Sequence, residues 1–293
     1  MSAENIGIPA GERAEWVLTI ACPDRVGIEA AVTGLLASRG DFIKQSQQFG
    51  NPDNGRFFMR IDFTSSTFER EEMIAALTPV FDDFNMDWEL NLQGHKMRTL
   101  LLVSKAPHVL VDLLYREKYQ NLPIDVVGVV GNHPDLKEIA YFYGKPFCLI
   151  PVTSDTKAKA EQELFDLYNE KNAELIVLAR YMQILSDDFC GRLPGKIINI
   201  HHSFLPSFKG AKPYHQAHER GVKIIGATSH YVTADLDEGP IIEQEVERVD
   251  HSRSAADLVS LGEDVERRTL ARAVRWHAEH RVLLDGKRTV VFH

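Results

Sequence analysis

The stretch TLLLVS at residues 99–104 decides the fold of the larger part of the chain. It is an apolar run without polar alternation, which is typical of a strand buried on both faces of a sheet. IDVVGVV (124–130) and ELIVLA (174–179) repeat this pattern, and amphipathic helical patterns lie between the runs. Strands that alternate with helices predict a Rossmann-like α/β domain with a mostly parallel sheet, which binds its ligands at the carboxyl ends of the strands.

The N-terminal part of the chain follows a different pattern. NPDNG (51–55) is a hairpin turn, and FFMRIDF (57–63) alternates after it as the returning strand. With the strand and helical patterns around them, the order is β-α-β-β-α-β, a ferredoxin-like arrangement. We therefore predict an α/β protein of two domains, a small one over 14–93 and a larger one over 97–293.

The composition of the 293 residues excludes several classes of protein. No apolar run approaches the roughly 20 residues that a membrane helix needs, and the N-terminus lacks the apolar core of a signal peptide. The net charge of -9 comes without a local surplus of Lys and Arg, which argues against a nucleic-acid partner. Cys22, Cys148 and Cys190 have no CxxC spacing, so neither a disulfide framework nor a thiolate zinc site is indicated. We expect a soluble, cytoplasmic protein.

Side chains that can do chemistry gather in one part of the sequence. Asn199 and His201 lie two residues apart where the strand pattern KIINI ends, and alternation puts both on the same side of the backbone. A later strand, GATSHYV (226–232), carries His230 and leads into TADLDEGP (233–240), a loop rich in carboxylates and turn formers. The pattern predicts a polar site where these segments meet.

This segment is similar to the folate-dependent formyltransferase family. The resemblance rests on Asn-x-His at a strand end, Leu-Pro and a glycine after it, and His-x-Val followed by Leu-Asp-x-Gly-Pro, and it covers roughly residues 98–285. It implies that Asn199, His201 and Asp237 form the catalytic trio. It also implies a folate pocket lined largely by backbone groups, at Tyr181, Met182, Gln183, Ile184, Thr233, Ala234, Asp235 and Leu236. Further candidate site residues are His230, Lys209 and Gly210.

The residue types of the trio suit the cleavage of a formamide. Resonance protects the formyl carbonyl, and the difficult point is the oxyanion of the tetrahedral intermediate. The amide of Asn199 and a protonated His201 can donate hydrogen bonds to that oxygen, and losing one such donor typically costs about 2.7–4 kcal/mol of barrier. Asp237, if it lies near His201, would hold the ring in place and, through an ordered water, take up the proton of the nucleophile.

Two other kinds of site fit the segment less well. A serine nucleophile at Ser203 needs a strained G-x-S-x-G turn, which is missing, so we interpret Ser203 as structural. Zinc ligands on a helix are usually four residues apart, whereas His215 and His218 are three apart. His201 and His202, as neighbours on a strand, point in opposite directions. We therefore expect neither a metal nor a cofactor.

The turn after the first parallel strand bears on the formyl acceptor. Members of the family that formylate a ribonucleotide place a glycine-rich loop there, whose N–H groups hold the substrate phosphate. Here the turn reads SKAPH (104–108), without glycine and with Pro107, which has no N–H. The members that act on tRNA carry an additional C-terminal barrel, for which this chain has no residues left. Water is then the default acceptor.

The expected reaction is the hydrolysis of 10-formyltetrahydrofolate, a linear amide, to tetrahydrofolate and formate. It would balance the pools of formylated and free folate and supply formate for purine synthesis. Two alternatives remain open. One is a folate-dependent formyltransferase with a different amine acceptor, and the other is an amino-acid-sensing protein that only binds folate.

The small N-terminal domain resembles an ACT domain, a regulatory module that pairs across subunit interfaces and binds an amino acid there. The resemblance rests on the element order and on the turn Asp24-Arg25-Val26-Gly27. It implies a homo-oligomer, either a dimer or a tetramer, with an effector site at this turn. Glycine and methionine are candidate effectors, since both connect to one-carbon metabolism. A dimerisation module without a ligand is the alternative.

Overall fold

The computed structural model describes residues 13–203 and 213–293. The chain divides into two compact units, Met1–His95 together with Phe292–His293, and Lys96–Val291. The last two residues group with the first unit, in which the side-chain amide of Gln47 donates a hydrogen bond to the carbonyl oxygen of His293 at 2.6 Å. None of the helices in this described part has the length and apolar character of a membrane span.

The first unit is a four-stranded antiparallel sheet with two helices, which confirms the predicted ferredoxin-like order. Its elements are β1 (Ala14–Pro23), α1 (Ile28–Ser38), β2 (Phe42–Asn51), β3 (Arg56–Ser65), α2 (Arg70–Asp83) and β4 (Asp87–Leu92). The strands lie in the order β2-β3-β1-β4. Ile20 of β1, Leu36 of α1 and Leu77 of α2 are fully buried in one core, so both helices pack on the same face of the sheet.

The second unit holds a seven-stranded sheet with helices and a small hairpin. Its first half comprises β5 (Met97–Val103), α3 (His108–Tyr119), β6 (Ile124–Gly131), α4 (Lys137–Phe142), β7 (Phe147–Leu149), α5 (Lys157–Glu170) and β8 (Leu175–Leu178). Its second half comprises α6 (Asp187–Arg192), β9 (Ile197–His201), α7 (Pro213–Glu219), β10 (Ile224–Tyr231), β11 (Ile241–Arg248), α8 (Ala255–Ala278), β12 (Val282–Asp285) and β13 (Arg288–Val291).

The seven strands lie in the order β11-β10-β9-β8-β5-β6-β7. The five strands from β9 to β7 run parallel, which confirms a mostly parallel sheet. β10 and β11 pair antiparallel and extend the sheet beyond β9. β11 reads IIEQEVER, and this edge strand lacks the continuous apolar run that identifies the central strands in the sequence.

The central position of β5 follows from its apolar run. Leu101 and Val103 belong to one buried cluster, whereas Leu100 and Leu102 belong to another. Because successive side chains of a strand point to opposite faces, the run fills a core on each side of the sheet. The carboxyl end of β5 then opens at Ser104, among the ends of its parallel neighbours.

The long helix α8 covers one face of β9. Val265 and Val274 of α8 lie in the same buried cluster as Ile198 and Ile200 of β9. Since alternate residues point to opposite faces, this packing turns the residues between and beyond them, at positions 199 and 201, to the other side of the strand. The burial of Ile198 and Ile200 thus directs the side chains of Asn199 and His201 toward the opposite side of β9.

Candidate active site

Two neighbouring strands supply the first three polar side chains of the site. Asn199 and His201 project from one side of β9, which pairs antiparallel with β10. The register places His230 of β10 directly opposite Asn199, and the Nδ2 atom of Asn199 lies 3.2 Å from Nε2 of His230. A β-bulge between Ser229 and His230 interrupts the pairing with β11. Bulges near functional sites re-aim side chains in this way.

The loop after β10 brings the carboxylate of Asp237 to these side chains. The backbone doubles back on the strand, where Tyr231 donates its N–H to the carbonyl oxygen of Pro240 at 2.9 Å. Gly239 lies against the carbonyl group of Tyr231, and a Cβ there would overlap that oxygen. Asp237 itself has a left-handed φ of 56°, which is uncommon for a residue other than glycine. The motif Leu-Asp-x-Gly-Pro therefore has a structural need for its glycine.

The carboxylate of Asp237 lies between two histidines. Its Oδ2 atom is 3.2 Å from Nδ1 of His201, and its Oδ1 atom is 3.6 Å from Nε2 of His230. The hydrogen bond with His201, and after it the one with His230, holds the pKa of Asp237 well below its ordinary value, against the opposing effect of burial. Asp237 is therefore ionised at neutral pH, although its side chain is only 27% exposed.

The second ring nitrogen of His230 defines its tautomer. Nδ1 lies 2.9 Å from the carbonyl oxygen of Tyr231, which can only accept, so Nδ1 carries a hydrogen. When the ring is neutral, Nε2 is an acceptor and the Nδ2 group of Asn199 donates to it. When the ring is protonated, Nε2–H faces Oδ1 of Asp237 instead. Because this amide nitrogen carries two hydrogens, the second can be donated to a ligand in the cavity that Asn199 lines.

Ser203 has a contact that the sequence interpretation missed. Its Oγ atom lies 3.0 Å from Nε2 of His201, so the two ring nitrogens of His201 face Ser203 and Asp237. The order Ser203–His201–Asp237 resembles that of a serine hydrolase. Ser203 is only 8% exposed, however, and it is not among the described residues that line the adjacent cavity. No G-x-S-x-G motif exists here to signal the contact in the sequence.

A cavity of about 1090 Å³ opens in front of these side chains. This volume is slightly larger than the roughly 300–1,000 Å³ that small-molecule sites usually have. Asn199, His201, Asp237 and His230 line the cavity. The residues predicted for the folate pocket line it as well, namely Tyr181, Met182, Gln183, Ile184, Thr233, Ala234, Asp235 and Leu236. Met182, Ile184 and Leu236 are largely exposed, so apolar surface adjoins the polar side chains at the ends of β9 and β10.

Hydrogen bonds hold residues 181–184 at the ends of the parallel strands. The backbone N–H of Met182 donates to Oγ of Ser104, directly after β5, at 2.9 Å. Ser104 in turn donates to Oδ1 of Asn132, directly after β6, at 2.7 Å. Burial raises the pKa of Tyr181 to about 12, so its hydroxyl group stays neutral. The segment therefore lies in the crevice where sheets of this type bind their ligands.

The other histidines of this part of the chain differ in their surroundings. His202 lines the cavity, and its ring stacks on that of His201 with the centroids 5.1 Å apart. Burial, together with the positive charge of Arg180, lowers the pKa of His202 to about 4, so the ring is neutral at pH 7. His215 and His218 are exposed on α7. Within the described residues, no group of three or more His, Cys, Asp or Glu side chains is placed to hold a metal ion.

The remaining candidate residues are the turn of the first unit and two positions before α7. The turn Asp24–Gly27 joins β1 to α1 in the first unit, and its four residues are exposed. The guanidinium group of Arg25 lies 3.8 Å from the ring centre of Phe84 and ties the turn to the end of α2. Lys209 and Gly210 lie outside the described residues.

Known proteins resemble this chain along nearly its whole length. The formyl transferase family profile matches residues 97–274. The chain is 51% identical over 284 residues to a formyltetrahydrofolate deformylase from a Corynebacterium species, covering 96% of this chain and 99% of that protein. The crystal structure of a formyltetrahydrofolate deformylase from Burkholderia mallei is 48% identical, with a TM-score of 0.92 and coverage of 96% of this chain and 100% of that one. Glycinamide ribonucleotide transformylase 1 from Symbiobacterium toebii is 30% identical, with a TM-score of 0.65 and coverage of 70% and 98%.

Replacing Gly239 with alanine should displace the loop that carries Asp237, because the new Cβ would overlap the carbonyl oxygen of Tyr231. A misplacement of about 1 Å at a reacting group can lower turnover by about 100-fold. We expect a loss of that size in the turnover of 10-formyltetrahydrofolate, with little change in the thermal unfolding temperature. Gly191→Ala on α6 is the matched control, since nothing lies within 4 Å of its Cβ position. Unchanged turnover in Gly239→Ala would remove the structural role assigned to this glycine.

Proposed function

The chain belongs to the formyltetrahydrofolate deformylase family, and from this membership we propose that Asn199, His201 and Asp237 catalyse its reaction. The enzyme is a hydrolase that converts 10-formyltetrahydrofolate and water into tetrahydrofolate and formate. One observation carries the assignment of residues: an ionised Asp237 lies between His201 and His230 at the wall of a large cavity. A carboxylate, an imidazole and a carboxamide therefore border one space, in which a single formyl carbon can meet all three.

The substrate is proposed to lie with its pterin ring between residues 181–184 and residues 233–236. Both segments line the cavity and combine backbone groups with exposed apolar side chains. A flat heteroaromatic ring with donors and acceptors on its rim suits walls of this kind. The formyl group then extends toward Asn199 and His201, where β9 ends.

Attack by water begins the proposed reaction. The water oxygen forms a bond to the formyl carbon, and its proton passes toward Asp237. The oxyanion that develops receives hydrogen bonds from the second Nδ2 hydrogen of Asn199 and from Nε2–H of a protonated His201, once the substrate has displaced the contact with Ser203. Such preorganised donors are commonly the largest contribution to catalysis of acyl transfer.

Cleavage of the carbon–nitrogen bond completes the proposed reaction. His201 gives its Nε2 proton to the departing N10 nitrogen, and tetrahydrofolate leaves with that proton bound. Asp237 then releases the proton taken from water to solvent, and Nε2 of His201 takes up a proton from solvent, which restores both groups. The formic acid releases its own proton to solvent and departs as formate. The proton must reach N10 as the carbon–nitrogen bond breaks, because N10 is attached to an aromatic ring and is weakly basic.

Water as the acceptor agrees with the turn after β5. α3 begins at His108, and Pro107 at its N-cap has no N–H to offer to a phosphate. The glycine-rich turn that would hold a ribonucleotide phosphate is replaced by Lys105-Ala106-Pro107. A formyltransferase with an amine acceptor is therefore not favoured. The presence of Asn199, His201 and Asp237 at the cavity wall argues against a protein that only binds folate.

We further propose that the first unit acts as an ACT domain in a homo-oligomer, a dimer or a tetramer. Its edge strand β2 exposes Phe42 and Phe49, and an exposed apolar edge is where the sheet of a second copy could pair. The turn Asp24–Gly27 remains the proposed site for an effector such as glycine or methionine. A cytoplasmic location, which free cysteines suit, and a supply of formate for purine synthesis belong to the same proposal.

The reaction is tested by incubating the full chain with 10-formyltetrahydrofolate in buffer that contains no amine acceptor. Formate and tetrahydrofolate should appear in equal amounts, because water supplies the only nucleophile. A chelator should leave the rate unchanged, since the proposed mechanism uses side chains alone. Formate that appears only after an amine is added, or a rate abolished by the chelator, would contradict the mechanism.

Asp237→Asn should lower turnover by at least about 100-fold, because the neutral amide neither holds a charged His201 nor accepts a proton. Folate affinity should be nearly unchanged, since the pterin walls remain. The measurements are kcat from formate release and the dissociation constant from fluorescence titration with tetrahydrofolate. Asp188→Asn, the same change at an exposed position of α6 that does not line the cavity, is the control and should stay near wild-type turnover. If kcat of Asp237→Asn is also close to that of the wild type, Asp237 is excluded from the mechanism.

Ser203→Ala distinguishes a water nucleophile from a serine nucleophile. If Ser203 only contacts His201 at Nε2, its removal should lower turnover by less than about tenfold, the range of one neutral hydrogen bond. Rapid quenching of the wild-type reaction followed by mass spectrometry should show no formyl ester on Ser203. A loss as large as that of Asp237→Asn, together with a trapped ester, would assign the attack to Ser203.

A further inference from the structure

Arg180 is a cation on the wall of the catalytic cavity that the proposed reaction does not use. It follows the last residue of β8 by two positions. The parallel register of β8 with β9 places Leu178 beside Asn199, so Arg180 and His201 each come two residues after a paired position. All four of these residues line the cavity. The guanidinium group therefore belongs to the same part of the wall as the catalytic imidazole.

The backbone of Arg180 has a conformation that is unusual for its residue type. Its φ of 63° lies in the left-handed region, which Asn, Asp and His adopt more readily than other residues apart from glycine. The other described non-glycine residues with such a φ are all of those three types, namely Asn85, Asn121, Asn172, Asp237 and His280. Strained backbone without this excuse occurs mainly at functional sites. The conformation therefore points to a function of the Arg180 side chain.

The guanidinium group of Arg180 has donors that the described residues do not satisfy. Nε and Nη1 are buried and make no hydrogen bond to them. Oε2 of Glu266 lies 3.5 Å from Nε, at ion-pair distance, but this carboxylate makes its shorter contacts with Nε2 of His108 at 2.8 Å and with the hydroxyl group of Tyr214 at 2.9 Å. Buried donors without an acceptor are unfavourable. Glu266 thus balances the charge of Arg180 but leaves its hydrogen bonds for another acceptor.

The acceptor that suits these donors best is a small carboxylate. A guanidinium group presents its N–H groups as a planar fork, which matches the two coplanar oxygens of a carboxylate. The side chain of Arg180 is only 19% exposed, so a bulky anion has little access to it. Formate, with three heavy atoms, is the smallest carboxylate.

The proposed reaction generates this anion in the same cavity. Formate forms beside the ionised Asp237, and Asp235 and Glu238 add two more carboxylates to the described lining. Like charges repel, so formate is drawn toward a cation. The Lys and Arg side chains among the described lining residues are Arg180 and Lys287. Lys287 lies exposed in the turn between β12 and β13, whereas Arg180 follows the strand next to β9.

We propose that Arg180 binds the carboxylate group of formate and so forms a product site on the catalytic wall. This inference rests on the proposed hydrolysis and adds a step to it, in which formate moves from Asp237 to the guanidinium group before it leaves the cavity. The ion pair with Glu266 holds that group in place. Formate bound there occupies space that the formyl group of the substrate needs, so formate is a competitive product inhibitor.

Saturation-transfer NMR with sodium formate tests the site in the absence of folate. The full chain should bind formate with a Kd of about 1–10 mM, the range open to a ligand of three heavy atoms. Arg180→Gln should weaken binding at least about tenfold, because hydrogen bonds to a charged group are lost. Arg180→Lys, which keeps the charge without the planar fork, should lie between the two. Lys287→Gln removes the other described cation of the lining and is the matched control, with wild-type formate affinity.

Inhibition by added formate tests the same site during turnover, with tetrahydrofolate as the measured product. The inhibition constant of the wild type should agree with the Kd from NMR, and Arg180→Gln should be inhibited at least about tenfold more weakly. If Arg180→Gln does not fold, Arg180→Gly removes the same side chain at a left-handed position that suits glycine, and the same losses are expected. Sodium chloride at equal ionic strength should not inhibit.

Four results would overturn the proposal. The wild type shows no saturable binding of formate; a folded Arg180 variant keeps wild-type affinity; Lys287→Gln loses as much affinity as Arg180→Gln, or chloride inhibits equally, which would indicate general attraction of anions; or neither Arg180→Gln nor Arg180→Gly folds, which would mark Arg180 as structural. None of these results bears on hydrolysis, which is measured without added formate. A wild type that binds formate but releases none from 10-formyltetrahydrofolate would contradict the proposed function instead.

Discussion

The ionised carboxylate of Asp237, held between His201 and His230, is the interaction on which the site depends. Each histidine comes from a different strand, and the carboxylate comes from the loop after the second strand. A half-buried charge is stable only with its partners in place, so the pairing of β9 with β10 and the path of the loop must be correct together. A slip of one residue in β9 would turn Asn199 and His201 toward the apolar core and remove both from the site.

The cavity has two sides with opposite character. On one side, residues 181–184 and 233–236 present exposed apolar and backbone groups that suit a folate. On the other side lie His202 and Arg180, and the guanidinium group of Arg180 lies 3.5 Å from the buried carboxylate of Glu266. In the proposed reaction the formyl carbon lies where these two sides meet.

Much of the fold could be predicted from the sequence because the central strands are buried on both faces. The runs at β5, β6 and β8 are continuous and apolar, so the sequence predicts these strands, although it does not give their order in the sheet. β11 escaped prediction, because an edge strand with charged residues has no such run. The shared direction of Asn199 and His201 followed from simple alternation along a strand.

Local sequence patterns and the family resemblance predicted the residues of the site but not the contacts that hold them together. The approach of Asp237 to His201 depends on the left-handed backbone of Asp237 and on the close contact of Gly239 with Tyr231. No local sequence pattern predicts either feature. The pairing of His108 with Glu266 joins residues 158 positions apart, and such partners are invisible to periodicity.

The central claim, that Asp237 acts through the imidazole of His201, is tested most directly by a double-mutant cycle on kcat/KM with His201→Asn and Asp237→Asn. Residues that act as a unit are strongly non-additive, so the double variant should lose little more activity than the more damaging single change. Losses that multiply, so that the double variant falls by the product of the two single effects, would show that the two side chains act independently and would contradict the account.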